Sequence, residues 1–308
     1  MSISVYITSY NKGKYLSKAI ESILSQSLKP NELIIVDDFS SDESKLIIES
    51  FKNRYPNIIK TVFNSNNYGV TKSRNIAITK CSSNIITYLD ADDYFLPNKL
   101  QSEFNLISKN DKARCVFSNV LYLDKNGNEN GFFANKKDQP AEGNILVESF
   151  VRSYNVQSGR NIHFEMFYKT AASEIGYYDE RIKIWEDWDF RIRMSKNNNY
   201  AYCPKVNSVY RDIKDGLSKS DIKLHYREQI KIYNNNKLLL NDLSSEEKDL
   251  IKNRVFSQIK YFFELIFFNR SEKYDFINKI YYSLDFFRTF KTIKTMKYLI
   301  KLYLGKIK

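Results

Sequence analysis

Two apolar runs near the start of the chain each end in a burst of carboxylates, and this limits the fold more than any other feature. Glu32-Leu33-Ile34-Ile35-Val36 runs into Asp37-Asp38-Phe39-Ser40-Ser41-Asp42. Residues 84–89, with Ile85, Ile86, Tyr88 and Leu89, run into Asp90-Ala91-Asp92-Asp93. Short runs of strand-forming residues read as buried strands. A turn that caps the next helix accounts for one such cluster, but poorly for the same arrangement twice. In open α/β sheets, ligands bind beyond the carboxyl ends of the strands. Carboxylates placed there suit a hard divalent cation such as Mg²⁺ or Mn²⁺ and, through it, phosphate.

The neighbouring segments fit that layout. A first strand over residues 3–7 ends in Thr8-Ser9-Tyr10-Asn11, which offers hydroxyls and a ring that could hold a nucleotide base. Residues 14–25 put Tyr15, Leu16, Ala19, Ile20, Ile23 and Leu24 on one helical stripe. Residues 44–54 form a second amphipathic helix and residues 58–63 a third strand. After the turn Asn67-Tyr68-Gly69-Val70, residues 71–79 form a helix that carries Arg74. Strands alternating with helices imply a mostly parallel sheet wound by right-handed crossovers.

In order and spacing, these pieces resemble the family-2 nucleotide-sugar glycosyltransferases of GT-A fold, of the type bacteria use to build surface polysaccharides. The likeness rests on Ser9-Tyr10-Asn11 with Tyr15-Leu16, the run from Glu32 to Asp42, Asn67-Tyr68-Gly69-Val70 with Arg74-Asn75, and the strand into Asp90-Ala91-Asp92-Asp93. It continues through Glu174-Ile175-Gly176-Tyr177-Tyr178-Asp179-Glu180 and Trp185-Glu186-Asp187-Trp188-Asp189, and covers roughly residues 1–215. The fold implied is a GT-A, Rossmann-like α/β domain with a mostly parallel sheet flanked by helices. It spans residues 1–220, with a nucleotide-sugar half at 1–110 and an acceptor half at 111–220. A basic, aromatic-rich helical extension follows at 221–308. The activity implied is inverting transfer of a single sugar from a nucleotide sugar, commonly UDP-linked, to a hydroxyl of a glycan or lipid-linked glycan.

The resemblance also assigns roles. Asp37 or Asp38, with Asp38 preferred, contacts the nucleotide base. Tyr10 stacks on that base with Thr8 beside it, and Arg74 reaches the base or the phosphates, either of which suits a guanidinium. In the Asp90-Ala91-Asp92 element, Asp90 lies near the ribose. Asp92 binds the divalent metal that bridges the two phosphates and assists departure of the nucleoside diphosphate.

A second centre is Trp185-Glu186-Asp187-Trp188-Asp189, where the only two tryptophans of the chain bracket two acids. A helix runs on from there, and acids in its first turn serve the free N–H groups and the helix dipole. Capping leaves the tryptophans unexplained. The resemblance makes Asp187 the catalytic base, with Glu186 as its alternative. Burial beside aromatic rings is expected to raise the Asp187 pKa and make it a better base. Trp185 or Trp188 offers an apolar face to the acceptor sugar.

One departure stands out. Many relatives place a histidine after the pair matched by Tyr210-Arg211, whereas this chain has Asp212. Contacts that such a histidine makes to metal or phosphate would fall to Arg211, Lys214 or water. His163 and His225 are far apart in sequence, so a histidine-rich zinc site is not expected. Residues 112–124 read as a strand, with a hairpin turn at Asp124-Lys125-Asn126-Gly127. Residues 128–145 read as a loop whose sequence does not disclose the acceptor.

Charge distribution brings in the remaining partners. The net charge is +12, and much of the excess lies beyond Ile251. After Asp285 every charged residue is a Lys or Arg. Basic residues beside aromatic and aliphatic stripes describe a segment that lies on an anionic membrane surface. The same aromatics would also serve to pack the tail on the catalytic domain or on the second subunit of a homodimer. Three widely spaced cysteines, no leader before the first strand and no membrane-length apolar run point to a cytoplasmic protein, peripheral at the inner membrane face. A nucleic-acid-binding protein is disfavoured because acidic strand ends repel phosphate. A nucleotidyltransferase would show a stronger basic or glycine-rich loop than Asn11-Lys12-Gly13-Lys14.

Overall fold

The computed structural model describes residues 2–214, 216–268 and 276–303, which form two compact units, Met1–Gly216 and Leu217–Lys308. The boundary falls between Gly216 and Leu217, where the sequence suggested 220. In the first unit, strands and helices alternate as β1 (Ile3–Ser9), α1 (Gly13–Leu24), β2 (Glu32–Asp37), α2 (Ser44–Arg54), β3 (Ile59–Phe63), α3 (Val70–Lys80) and β4 (Ile85–Asp90). There follow β5 (Tyr94–Phe95), α4 (Lys99–Lys109), β6 (Ala113–Leu123), β7 (Glu129–Phe132), α5 (Leu146–Val151), β8 (Met166–Tyr168), α6 (Lys169–Glu174), α7 (Glu186–Ser195) and β9 (Asn199–Arg211).

The described residues make a nine-stranded sheet in the order β3-β2-β1-β4-β8-β6-β9-β5, with β7 paired to β6. The first four strands of that order are mutually parallel, and β8 joins β4 to β6 antiparallel to both. The single sheet runs through both halves that the sequence suggested. Strands β1, β2 and β4 are buried along almost their whole length because helices cover both faces, which explains their continuous rather than alternating apolar pattern. Leu16, Ala19, Ile20 and Ile23 of α1 and Ile48 and Phe51 of α2 complete the core on these strands. The turn after β6 is the expected hairpin, with Asp124 Oδ1 accepting from the Asn126 and Asn128 N–H groups. Part of the expected 128–145 loop is strand β7.

Register fixes what the parallel strands deliver. Thr8 lies beside Asp90, and Ser9 beside Asp37. Polar groups from three strands therefore reach one edge, which is where a parallel sheet binds its ligand.

The second unit is helical: α8 (Ile222–Asn236), α9 (Ser245–Phe268), α10 (Phe276–Phe290) and α11 (Ile293–Tyr303). Asp221 caps α8 by accepting from Lys223 N–H at 2.7 Å. Ser244 and Glu247 form a reciprocal capping box at the start of α9. Phe263 stacks on Phe286 at 5.0 Å, and Tyr282 and Tyr298 are buried with them. Tyr261, Phe268, Tyr281 and Tyr303 stay exposed. Of the tail's acids, Glu272 and Asp275 lie outside the described residues. Among the described residues no helix is long and apolar enough to cross a membrane.

Candidate active site

At the end of β2 the two aspartates differ in what they have left to offer. Asp38 accepts from Asn64 Nδ2 at 2.8 Å, Tyr68 N–H at 2.9 Å and Gly69 N–H at 2.8 Å. It thereby fixes the loop into α3, whose last residue, Gly69, sits at φ 87°, a conformation that glycine adopts without strain. Asp37 Oδ2 accepts from Ser40 N–H at 3.0 Å, while its Oδ1 is buried without a hydrogen-bond partner. Ser9 Oγ beside it is in the same state. A buried carboxylate oxygen without a donor is costly, so Asp37 Oδ1 is a ready acceptor for a ligand N–H. The sequence favoured Asp38, but its oxygens are committed to the loop, and Asp37 keeps the open one.

Two rings flank this edge. Tyr10 is 47% exposed, which removes core packing as its role. Phe39 is 57% exposed and holds φ 67°, a left-handed conformation unusual for a bulky residue. Sequence reasoning passed over Phe39; the available signal was a large apolar residue inside an otherwise polar turn. Asn11, also left-handed, ties the two loops together, donating its N–H to Ser40 Oγ and accepting from Ser41 N–H at 2.8 Å.

The turn after β4 concentrates charge. Burial pushes the Asp90 carboxyl above its ordinary range, with Arg74 opposing and Asp92 and Asp187 reinforcing the rise. Burial does the same more strongly to Asp93, which accepts from Arg211 N–H at 2.7 Å. Ala91 is buried between them and contributes backbone only. Arg211 was expected at the diphosphate or in place of the missing histidine. Its guanidinium instead donates to the Asp92 and Asp93 carbonyls and lies over the Tyr15 and Tyr94 rings, so it braces the turn. Asp92 is left facing Lys12, whose Nζ lies 3.2 Å from its Oδ2.

Among the described residues no group of three or more His, Cys, Asp or Glu is placed to hold a metal. A divalent cation at Asp92 would therefore draw its other ligands from a diphosphate and water. That is the habit of Mg²⁺ in nucleotide sites, so the single carboxylate fits such an ion.

Arg74 joins this edge to the second acidic centre. It is buried between the Tyr88 and Tyr178 rings, at 4.6 and 5.4 Å from their centroids. Its Nη2 lies 2.8 Å from Asp90 Oδ1 and 3.3 Å from Glu186 Oε1. Arg74 was expected at the base or the phosphates, and it is found holding two acids together.

Glu186 and Asp187 open α7, where their charges meet the positive end of the helix. Burial pushes Glu186 up to about 7, against the pull of Arg74 and with Asp187 adding to the rise. Asp187 goes the other way: burial would raise it, but the Arg191, Arg74 and Arg152 guanidiniums outweigh burial and hold it below the ordinary aspartate value. The expected rise at Asp187 is thus corrected, because the cations around it were invisible in sequence. Arg191, fully buried, donates to Glu165 at 2.6 Å and to the Ile162 carbonyl, and lies 3.7 Å from Asp187. Tyr88 O–H closes the network on Glu165 at 2.8 Å. Environments that drive two neighbouring acids apart are the mark of an acid–base site.

The tryptophans divide. Trp188 is 1% exposed, and its Nε1 donates to the Ser149 carbonyl at 2.7 Å. It is a packing residue and offers no face to a sugar. Trp185 is half-buried at φ 65°, with the Arg152 guanidinium 4.0 Å over its ring. His163 stacks on Tyr210 at 4.9 Å, and burial lowers it to about 4, so it is neutral at pH 7.

The family model described as glycosyl transferase family 2 matches residues 4–170. The chain belongs to this family. Among curated relatives, the minor teichoic acid biosynthesis protein GgaA of Bacillus subtilis (strain 168) is 34% identical over 229 residues, 71% of this chain and 49% of that protein. Chondroitin synthase of Escherichia coli is 25% identical over 72% of this chain and 31% of its own length. The chain thus spans half or less of these two relatives. The crystal structure of S. aureus TarS 1-349 superposes with a TM-score of 0.65 at 20% identity, covering 94% of this chain and 81% of that one. The same TarS segment in complex with UDP-GlcNAc gives 0.66 at 19%. At that identity the likeness establishes the GT-A fold. The family match ends at 170, so both the Asp37 and Asp90 strand ends lie inside it, whereas Glu186 and Asp187 lie beyond it.

Proposed function

We propose that this family-2 protein transfers a single sugar, with inversion, from a nucleotide sugar to a hydroxyl of a glycan or lipid-linked glycan in surface-polysaccharide synthesis. The carrying observation is the Arg74 bridge between Asp90 and Glu186, which unites the strand-end edge and the acid pair in one site. The open Asp37 oxygen accepts an N–H of the base and Tyr10 stacks on it, with Thr8 and Asp90 toward the ribose. UDP is the preferred nucleotide because the structurally similar TarS binds UDP-GlcNAc.

Asp187 is held ionised by its arginines, which makes it a weaker base but keeps it ready to accept the proton of the acceptor hydroxyl. The oxygen attacks the anomeric carbon, the bond to the diphosphate oxygen breaks, and the nucleoside diphosphate leaves from the opposite side. One displacement of this kind inverts the anomeric centre. A divalent metal, Mn²⁺ or Mg²⁺, held by Asp92 would supply charge neutralisation to the leaving diphosphate. Glu186 holds or releases a proton near neutrality, and Trp185 contributes a ring on the acceptor side.

The helical unit carries the protein to the inner face of the cytoplasmic membrane. On α11, Thr295, Tyr298 and Leu302 face inward, Lys294 turns back to Asn253 and Phe256 of α9, and the outward side carries apolar Met296 and Ile300 beside basic Lys297 and Lys301. That pairing suits an anionic bilayer surface. A second copy would meet the same lysines, which disfavours a homodimer through this face.

The test is a thermal-shift panel of UDP-, GDP- and dTDP-sugars with Mn²⁺, followed by product analysis for wild type and Asp187→Asn. One nucleotide should stabilise both forms, with turnover of the variant lower by about 10²–10⁴-fold. Normal turnover in Asp187→Asn, or no stabilisation by any nucleotide, overturns the reading.

A further inference from the structure

The metal-binding reading of Asp92 leaves its lysine unused. Lys12 stands at the junction of β1 and α1, and its backbone is pinned on both sides. Asn11 is tied to Ser40 and Ser41, Lys12 N–H donates to Ser44 Oγ at 3.3 Å, and Gly13 N–H donates to Asp42 Oδ2 at 2.8 Å. From that anchored position Nζ reaches 3.2 Å from Asp92 Oδ2, with the two side chains 17% and 19% exposed. The pair is neither a free surface ion pair nor sealed in the core. It lies at the open edge beside the Asp90 to Asp93 turn that ends β4.

We propose that Lys12 is the resident cation of Asp92 and a diphosphate-binding residue of this protein. In the donor-free protein its ammonium occupies the carboxylate that a divalent ion would use, so the two cations compete. When a nucleoside diphosphate arrives, Lys12 swings to a phosphate oxygen, and Asp92 is released to the metal that enters with the nucleotide. Charge favours this order. Asp92 gains a divalent ion as it gives up a monovalent one, while the diphosphate gains the ammonium. Lysine suits the exchange because its ammonium is a compact charge on a flexible stem, able to serve two oxygens in turn. The diphosphate half of the inference rests on the nucleotide-sugar reading above; the competition half does not.

The experiment titrates Mn²⁺ alone into wild type, Lys12→Met, Lys12→Arg and Asp92→Asn, reading free Mn²⁺ by electron paramagnetic resonance. UDP is then titrated calorimetrically in the presence of a chelator. Removing the ammonium should tighten Mn²⁺ binding in Lys12→Met by about fivefold, the scale of a partly exposed ion pair. It should weaken UDP binding by about tenfold, the scale of one charge-assisted hydrogen bond. Lys12→Arg should stay near wild type in both, and Asp92→Asn should abolish the Mn²⁺ effect. Unchanged Mn²⁺ affinity in Lys12→Met, or no Mn²⁺ binding to either protein, overturns the competition, and unchanged UDP affinity overturns the diphosphate role. If wild type binds no nucleoside diphosphate even with Mn²⁺ supplied, the nucleotide-sugar reading fails while the Mn²⁺ titration still decides whether Lys12 guards Asp92.

Discussion

The two units of this chain rely on charge to different degrees. In the first, charge is buried and paired: Arg191 with Glu165, Lys99 with Glu103, and Arg74 with both Asp90 and Glu186. In the second, aromatic rings fill the interior, buried Glu228 is met by half-exposed Lys231 at 2.5 Å, and Lys297 and Lys301 of α11 lie outside. Burying an ion pair costs desolvation that hydrophobic packing would avoid. A unit that buries ion pairs repeatedly holds them for more than stability, whereas one filled with stacked rings draws its stability from packing. Within the first unit, Glu186 and Asp187 separate in pKa although they are neighbours, because burial wins over Arg74 at Glu186 whereas Arg191, Arg74 and Arg152 together win over burial at Asp187.

The largest effect should come from cutting a buried pair. Arg191→Met leaves Glu165 buried beside Tyr88 without its counter-ion, and should cost about 3–5 kcal/mol in chemical denaturation. Lys297→Met on the outside of α11 should change stability by at most about 0.5 kcal/mol. Similar losses for the two would dissolve the contrast. Arg191→Met combined with Glu165→Gln should recover much of the loss, because the stranded charge is then gone.

Next in size is the surface. Lys297→Glu with Lys301→Glu should weaken partition onto vesicles containing phosphatidylglycerol by about 2–4 kcal/mol, at about 1 kcal/mol for each charge removed or reversed. Purely zwitterionic vesicles should show little difference. Unchanged binding to anionic vesicles would leave the exposed α11 rows without a membrane role.

A smaller effect, readable through pH, sits at Glu186. Below about pH 4.5, the ordinary glutamate value, Glu186 is protonated in both folded and unfolded chains. As pH rises toward about 7 the unfolded chain ionises while the fold resists, so the folded state loses stability across that window. Glu186→Gln removes the titration. Its melting temperature relative to wild type should therefore be higher at about pH 8 than at about pH 5. A constant gap between the two would show that burial does not hold the proton there.

Much of the fold was legible because strand and helix periods, and the acids that end β2 and β4, are local signals. The site was legible only where one residue type suffices. Asp37, Asp90, Asp92 and Asp187 announced themselves as acids at strand or helix ends. What they bond to did not, because Arg191, Glu165 and Lys12 come from elements distant in sequence and their pairing exists only after folding. The same reason hid the commitment of Asp38 to the 64–69 loop, the bracing role of Arg211 and the burial of Trp188, whose identical neighbour Trp185 stays half-exposed.

Phe39 offers the finest test of how the two units spend exposed aromatic surface. In the helical unit an exposed ring such as Tyr303 lies on regular helix at no backbone cost. Phe39 keeps a left-handed backbone that glycine would take freely, at a cost of about 1 kcal/mol or more. Non-glycine residues persist in such conformations where something else repays the strain, and here the neighbours are Asp37 with its open oxygen and the exposed Tyr10. Phe39→Gly should leave stability within about 1 kcal/mol of wild type, because relief of strain opposes the entropy of a freer unfolded chain. It should at the same time weaken nucleoside diphosphate binding by about 1 kcal/mol, the lower end of base–aromatic stacking. Phe39→Tyr should retain the affinity. If glycine at this position costs no affinity, the Phe39 ring takes no part in holding the base, which is then left to Tyr10 and Asp37.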